Sequence, residues 1–419
     1  MEYARSDLFH KIVAHGMWGG ALISTLLGTK LPGPGTIYLG QTLKFMKPVA
    51  LGDTITVTVT LTAKDPERHR VTFDCRCTNQ KGEVVISGGA QVLAPTEKVK
   101  RPRAVLPEVH LHESGARFRK LIGRTKGLTP IRTAVVHPVD GNSLRGAIDA
   151  AQADLTTPVL VGPERKIRAA AEAEGIDLSP YELVPTRHSH EAAATAVALA
   201  RAGTVEALMK GSLHTDELMH EVVARDTGLC TGRRMSHVFV MDAPEYPRLL
   251  LLTDAAINIY PDLEDKRDIV QNAIDLAHVL GIDPPRVAIL SAVETVTVKL
   301  RSTLEAAALC KMADRQQITG GLVDGPLAFD NAVSEEAARA KGIVSPVAGR
   351  ADILVVPDLE SGNMLVKQLE YLAEAQGAGV VLGARVPIAL TSRADKPLSR
   401  MASCALALLL ARQHSPAPV

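Results

Sequence analysis

In the run Thr54-Ile55-Thr56-Val57-Thr58-Val59-Thr60-Leu61 every aliphatic residue falls on an odd position and every threonine on an even one. Successive side chains of a strand point to opposite faces, so this run predicts an antiparallel strand with one face buried and one face wet. Similar runs lie at Thr36 to Phe45, Arg70 to Asn79 and Glu83 to Val92, with turn residues at Asp65-Pro66 and Gln80-Lys81-Gly82. A helical stretch from about Gly16 to Leu31 precedes all four runs and is closed by Pro32-Gly33-Pro34-Gly35. One helix against a meander predicts an α+β domain over residues 1–95.

The pattern then changes. Residues 96–117 carry Pro102 and Pro107 with Lys98, Lys100, Arg101 and Arg103, a composition that blocks regular structure and reads as a linker. From Phe118 onward short aliphatic runs alternate with longer amphipathic ones, as expected of parallel strands joined by helices. The strands are expected at Thr133–His137, Pro158–Val161, Ala207–Lys210, His237–Met241, Leu249–Leu252, Val287–Leu290, Ile353–Val356 and Val380–Leu382. Ser189–Ala202 and Lys266–Leu280 are among the expected helices. Residues 118–412 are more than one comfortable domain, so two α/β lobes flanking a ligand cleft are predicted.

Composition narrows the function. With 47 Lys and Arg against 46 Asp and Glu, the chain has no global field for nucleic acid or an anionic membrane, and any anion must be bound locally. Aromatics make up 3%, too few for the stacking platforms of single-strand binders. Five scattered cysteines point to reduced thiols. The start lacks the pattern of a signal peptide, and the apolar run Cys404–Ala411 is too short to span a bilayer, so a soluble cytoplasmic protein is expected. The phosphate-loop, nucleophile-elbow and zincin-helix patterns are missing from the sequence. Cys75-x-Cys77 and His188-Ser-His190 lack second pairs at metal spacing, so no metal site is expected.

Residues 12–53 contain Ile-Val-Ala-His15-Gly16-Met-Trp, Ser24, Leu-Pro-Gly-Pro-Gly-Thr-Ile-Tyr-Leu-Gly-Gln, Lys-Pro-Val and Gly-Asp. This part, about 1–95, resembles the R-specific, MaoC-like enoyl-CoA hydratases. The resemblance implies a hotdog fold in which the Gly16 N–H opens a central helix and holds the thioester oxygen, with Ser24 as a further binding residue. A helix N-terminal amide is unpaired and the helix dipole favours negative charge there, which suits that role. The family's Asp-x-Asn-Pro-x-His segment would precede Tyr3-Ala4; Asp7 and His10 follow those residues and do not match it. This half is therefore expected to be either a sequence whose start lies further upstream or a CoA-ester module without its acid and base.

Seven ordered segments mark the rest. They include Leu208-Met-Lys210-Gly-Ser-Leu-His-Thr, Thr253-Asp-Ala-Ala-Ile-Asn258, Val323-Asp324-Gly-Pro-Leu, Ser361-Gly-Asn363-Met-Leu-Val-Lys and Pro387-Ile-Ala-Leu-Thr-Ser392-Arg393-Ala-Asp395. From Phe118 to Ala411 the chain resembles the phosphate acetyltransferases and butyryltransferases. That implies isocitrate-dehydrogenase-like lobes, a homodimer or higher homo-oligomer, and the reaction acyl phosphate plus CoA to acyl-CoA plus phosphate. A free thiol is mostly protonated at neutral pH, so a carboxylate base is wanted, and the phosphate suits a guanidinium fork. The resemblance gives Ser392 the reaction intermediate and Arg393 the phosphoryl group. Where the acetyl branch has a catalytic aspartate seven residues beyond the serine, this chain has Ser399, so Asp395 is the expected base, with Asp254 and Asp324 in reserve. Lys210, Arg234 (with its neighbour Arg233), Asn258, Ser291 and Asn363 are the expected substrate-binding residues. CoA enters as a substrate, with no permanently bound cofactor. The competing readings are hydration as the main activity and non-catalytic binding of CoA esters.

Overall fold

The structure is a computed structural model that describes residues 12–97, 114–390 and 395–413. The chain forms two compact units, residues 1–109 and 110–419.

In the first unit the helix Gly16–Thr29 is accompanied by β1 (Ile37–Gln41), β2 (Lys44–Phe45), β3 (Thr56–Asp65), β4 (Arg70–Thr78) and β5 (Val84–Leu93). The antiparallel sheet has the order β1-β5-β4-β3, with β2 also on β5. Register follows the alternation seen in the sequence, setting Val57 opposite Cys77, Val59 opposite Cys75 and Leu61 opposite Phe73. The helix buries Ile23 and Leu27 against Phe73, Cys75, Cys77, Val85 and Val92. Burial raises both thiols, that of Cys75 to about 11, so this pair packs as small apolar residues. The expected strand Thr36–Phe45 is divided in two, because the chain crosses β5 so closely that a Cβ on Gly88 would stand 1.9 Å from the Thr42 carbonyl oxygen. A helix against an antiparallel sheet is the hotdog-like arrangement.

The second unit opens with the helix Ala116–Gly123, whose Phe118 is fully buried. That helix begins inside the stretch expected to be a linker, of which residues 98–113 lie outside the described part. Eleven strands follow: β6 (Ile131–Val136), β7 (Thr156–Gly162), β8 (Glu182–Pro185), β9 (Ala207–Lys210), β10 (Ser236–Asp242), β11 (Leu250–Thr253), β12 (Arg286–Leu290), β13 (Leu322–Leu327), β14 (Ile353–Val355), β15 (Gln376–Leu382) and β16 (Ile388–Ala389). They form one sheet in the order β13-β12-β14-β11-β10-β15-β16-β9-β6-β7-β8. The two expected lobes therefore share a sheet. Its flanks are parallel, and the pairs β11-β10, β10-β15 and β15-β16 are antiparallel, so the flanks run in opposite directions. Helices on both faces enclose four apolar cores.

Candidate active site

Val135, Met209, Ala389, Val380, Val238, Thr253, Val355 and Ile289 pair successively in one row across eight strands. β6, β9 and β16 reach this row from one direction and end within one residue of it; β11, β14 and β12 do so from the other. Strand C-terminal ends at a reversal of sheet order leave backbone groups and loops open to ligands. Lys210, Asp254 and Ser291 lie at these ends, and Ser392-Arg393-x-Asp395 follows β16 in the sequence.

On the β6/β9 side, Lys210 is buried and its Nζ lies 3.5 Å from the Gly211 carbonyl oxygen. Gly211 approaches β6 so closely that a Cβ would meet the Val136 oxygen at 2.5 Å. His137 Nδ1 lies 2.8 Å from the Ser212 carbonyl oxygen, which can only accept, so the proton sits on Nδ1. Asp140 caps the helix Gly141–Gln152 by accepting from Ser143 N at 2.9 Å. Burial raises the Asp140 carboxyl, but bonds from Ser212 and Ser143 bring it below its ordinary value. This cluster of His137, Asp140 and Ser212 was not expected from the sequence; Gly-Ser after a strand was its only signal.

On the β11 side, Asp254 is 3% exposed. It accepts from the backbone N–H groups of His237, Ala256, Ile257 and Asn258 and from Asn258 Nδ2 at 2.6 Å. Burial raises its carboxyl above the ordinary value, and the bonds from Ala256, the Asn258 side chain, Ile257 and His237 oppose that in part; all the donors are N–H groups. A carboxylate so occupied has no lone pair for a thiol proton, so its work is to hold the turn. Asn258 passes the order on, its Oδ1 accepting from Arg234 Nε at 2.8 Å while Nδ2 also donates to the Met235 carbonyl. Arg234 is half-exposed and also faces Asp265 at 3.5 Å, and Arg233 pairs with Asp275. Asn363 donates to the Ala255 carbonyl at 3.4 Å, and Ser291 Oγ lies 2.9 Å from Ser302 Oγ. Thus Arg234, Asn258, Asp254 and the turn against Asn363 form one connected group. Ser291 belongs to a neighbouring one, and Lys210 lies across the central β10–β15 pair.

Ser392 and Arg393 lie outside the described residues. Asp395 is half-buried, and its backbone oxygen accepts from Arg400 Nη1 at 2.7 Å. Ser399, buried in the helix Pro397–Gln413, offers its carbonyl to Ser403. Asp324 is on β13 at the far edge of the sheet, six strand spacings from β16, roughly 29 Å. His237, fully buried on β10, has no hydrogen-bond partner at either ring nitrogen among the described residues, and burial lowers it to about 3.

The first unit has its own pocket of about 370 Å³ at the start of the helix, lined by Val13, His15, Gly16, Trp18, Phe45 and Val49 among others. His15 caps the helix through Nδ1, accepting from Met17 N at 3.3 Å. Gly16 lines the pocket, whereas Ser24 lies two turns on, exposed and away from the lining. Among the described residues no group of three or more His, Cys, Asp or Glu could hold a metal, and no helix is long and apolar enough to cross a membrane.

The family model described as "Phosphate acetyl/butaryl transferase" matches residues 185–408, and the model described as "MaoC like domain" matches residues 1–80. The phosphate acetyltransferase of Rhizobium meliloti is 63% identical over 304 residues, 73% of this chain and 96% of that protein. The phosphate butyryltransferase of Clostridium beijerinckii is 41% identical over 297 residues, covering 71% and 98%. A branched-chain phosphotransacylase from Enterococcus faecalis V583, known as a crystal structure, superposes with a TM-score of 0.59 at 30% identity over 67% of this chain and 99% of that one. The chain belongs to the phosphate acetyl/butyryltransferase family, with a MaoC-like hydratase domain fused ahead of the transferase region.

Proposed function

We propose that this chain transfers a short acyl group, acetyl or butyryl, between phosphate and coenzyme A: acyl phosphate plus CoA gives acyl-CoA plus phosphate. The observation that carries this reading is the row at which oppositely directed strands end, with the Ser392-Arg393-x-Asp395 segment directly after β16. Asp395 takes the proton of the CoA thiol, and the thiolate attacks the acyl carbon. The C–S bond forms while the carbonyl oxygen becomes an oxyanion, which Ser392 stabilises. Collapse then breaks the bond to the phosphate oxygen, and phosphate leaves against the Arg393 guanidinium. Lys210, Asn258, Arg234, Ser291 and Asn363 bind substrate around the row. The isocitrate-dehydrogenase-like arrangement and a soluble, cytoplasmic homodimer complete the reading. An exposed stripe of Met364, Tyr371 and Leu372 on the helix Leu359–Leu372 supports dimerisation.

The first unit acts as a CoA-thioester binding module. In support, the Gly16 N–H opens a helix at the wall of a pocket that is otherwise largely apolar. The direct test is the loss of free CoA thiol on mixing the protein with acetyl, propionyl and butyryl phosphate. Turnover is expected, and the three rates rank chain length; a folded protein that turns over none of them contradicts the reading.

A further inference from the structure

Arg400 stands in the first turn of the helix Pro397–Gln413 and is 5% exposed. Its Nη1 donates to the Asp395 carbonyl; among the described residues its buried Nε has no partner and no carboxylate stands within ion-pair distance. This is an expensive place for a cation. The unpaired N–H groups of a helix start already concentrate positive charge, and burying a further charge without a counter-ion disfavours the folded state. An apolar side chain of similar length would pack there at no such cost. The surroundings are shaped to admit the guanidinium nonetheless. Gly146, in the second turn of the helix Gly141–Gln152, faces it so closely that a Cβ would stand 3.0 Å from Arg400 Cδ and Nε, and Met209 at the end of β9 adjoins the same spot.

We propose that Arg400 is a positioning residue for acyl transfer: from beneath, it fixes Asp395, and so sets the carboxylate of that residue against the substrate thiol. The proposal rests on the assignment of Asp395 as the base. The buried charge is explained by what it holds, since the bond to the Asp395 oxygen is the one polar contact its side chain makes among the described residues. Arg400 touches no reacting atom. Its effect passes through the backbone of the segment just before its helix.

The test compares Arg400→Met, Arg400→Lys, Gly146→Ala and Asp395→Asn in the full chain, reading kcat, KM for CoA and melting temperature. Arg400→Met is expected to lower kcat about 10- to 100-fold, the cost of a misplaced catalytic group, with KM for CoA within about twofold and the melting temperature unchanged or higher. Arg400→Lys, which keeps the charge and a donor, is expected to recover part of kcat. Gly146→Ala is expected to lower kcat in the Arg400 chain and to have no further effect on Arg400→Met. A kcat within twofold of wild type for Arg400→Met, beside an inactive Asp395→Asn, overturns the positioning role and leaves the base assignment standing. Full activity of Asp395→Asn overturns the base assignment and the proposal with it. If Arg400→Met does not fold, Gly146→Ala decides: unchanged kcat in that folded variant overturns the proposal.

Discussion

The first unit builds its pocket on one helix terminus, whereas the second builds its site on strand ends arriving from opposite directions. The helix start offers oriented N–H groups within largely apolar walls, which suits binding of a thioester oxygen. The row in the α/β unit places Lys210 on one side of an antiparallel pair of strands, and the saturated Asp254 and Ser291 on the other. Binding needs only the former; a reaction that moves a proton and expels phosphate needs the latter. Within the α/β unit a second contrast holds. Asp254, bonded to five donors, shapes a turn, while Asp395 is half-buried and its backbone oxygen accepts from Arg400.

If chemistry resides in the α/β unit, Arg393→Ala should have the largest effect. A loss of about 100- to 1,000-fold in kcat/KM for acyl phosphate is expected, with the melting temperature unchanged, read by thiol consumption. Damage to the first unit should leave that rate intact. Gly88→Ala forces a Cβ into the Thr42 carbonyl, so the first unit is expected to lose about 1–3 kcal/mol, seen as an earlier unfolding step at unaltered phosphotransacylation.

A pH effect should also separate the units. His237 of the α/β unit is lowered by burial to about 3, so its folded-state pKa lies below its unfolded value near 6.5. Protons then bind the unfolded chain first, and stability present above that value is lost as pH falls. Between pH 7.5 and 5 the loss is about 2 kcal/mol for this one group. Urea unfolding of His237→Leu should show a flatter dependence on pH, confined to the second unit. Smallest of all, Ser24→Ala should change stability by no more than about 0.5 kcal/mol and leave thioester binding unaltered, because Ser24 is exposed and off the pocket.

Much of the fold was legible. β9 has the expected bounds, and the threonine alternation became β3, although that strand lies at the sheet edge and Leu61 remains exposed. β16 was not expected because it spans two residues, and β13 because Asp324-Gly325-Pro326 reads as a turn. The single sheet was hidden for another reason. A strand buried on both faces gives the same aliphatic run in either direction, so the reversal at β10 and β15 leaves no periodicity to read. The site was legible at strand ends, where Lys210, Ser291 and the Asp254 turn carry polar residues after apolar runs. What Asp254 does was not, since its five donors come from backbone that the sequence does not place. Arg400 also escaped notice. Its signal was a lone charge beside the apolar stretch Met401 to Ala411, at a helix start where an acidic residue is favoured.

The most direct test of the central claim, that acyl transfer belongs to the α/β unit, is thiol consumption by residues 110–419 alone beside the full chain. This account predicts kcat/KM for acetyl and butyryl phosphate within about threefold of the full chain. A folded fragment that fails to transfer, beside an active full chain, would contradict it.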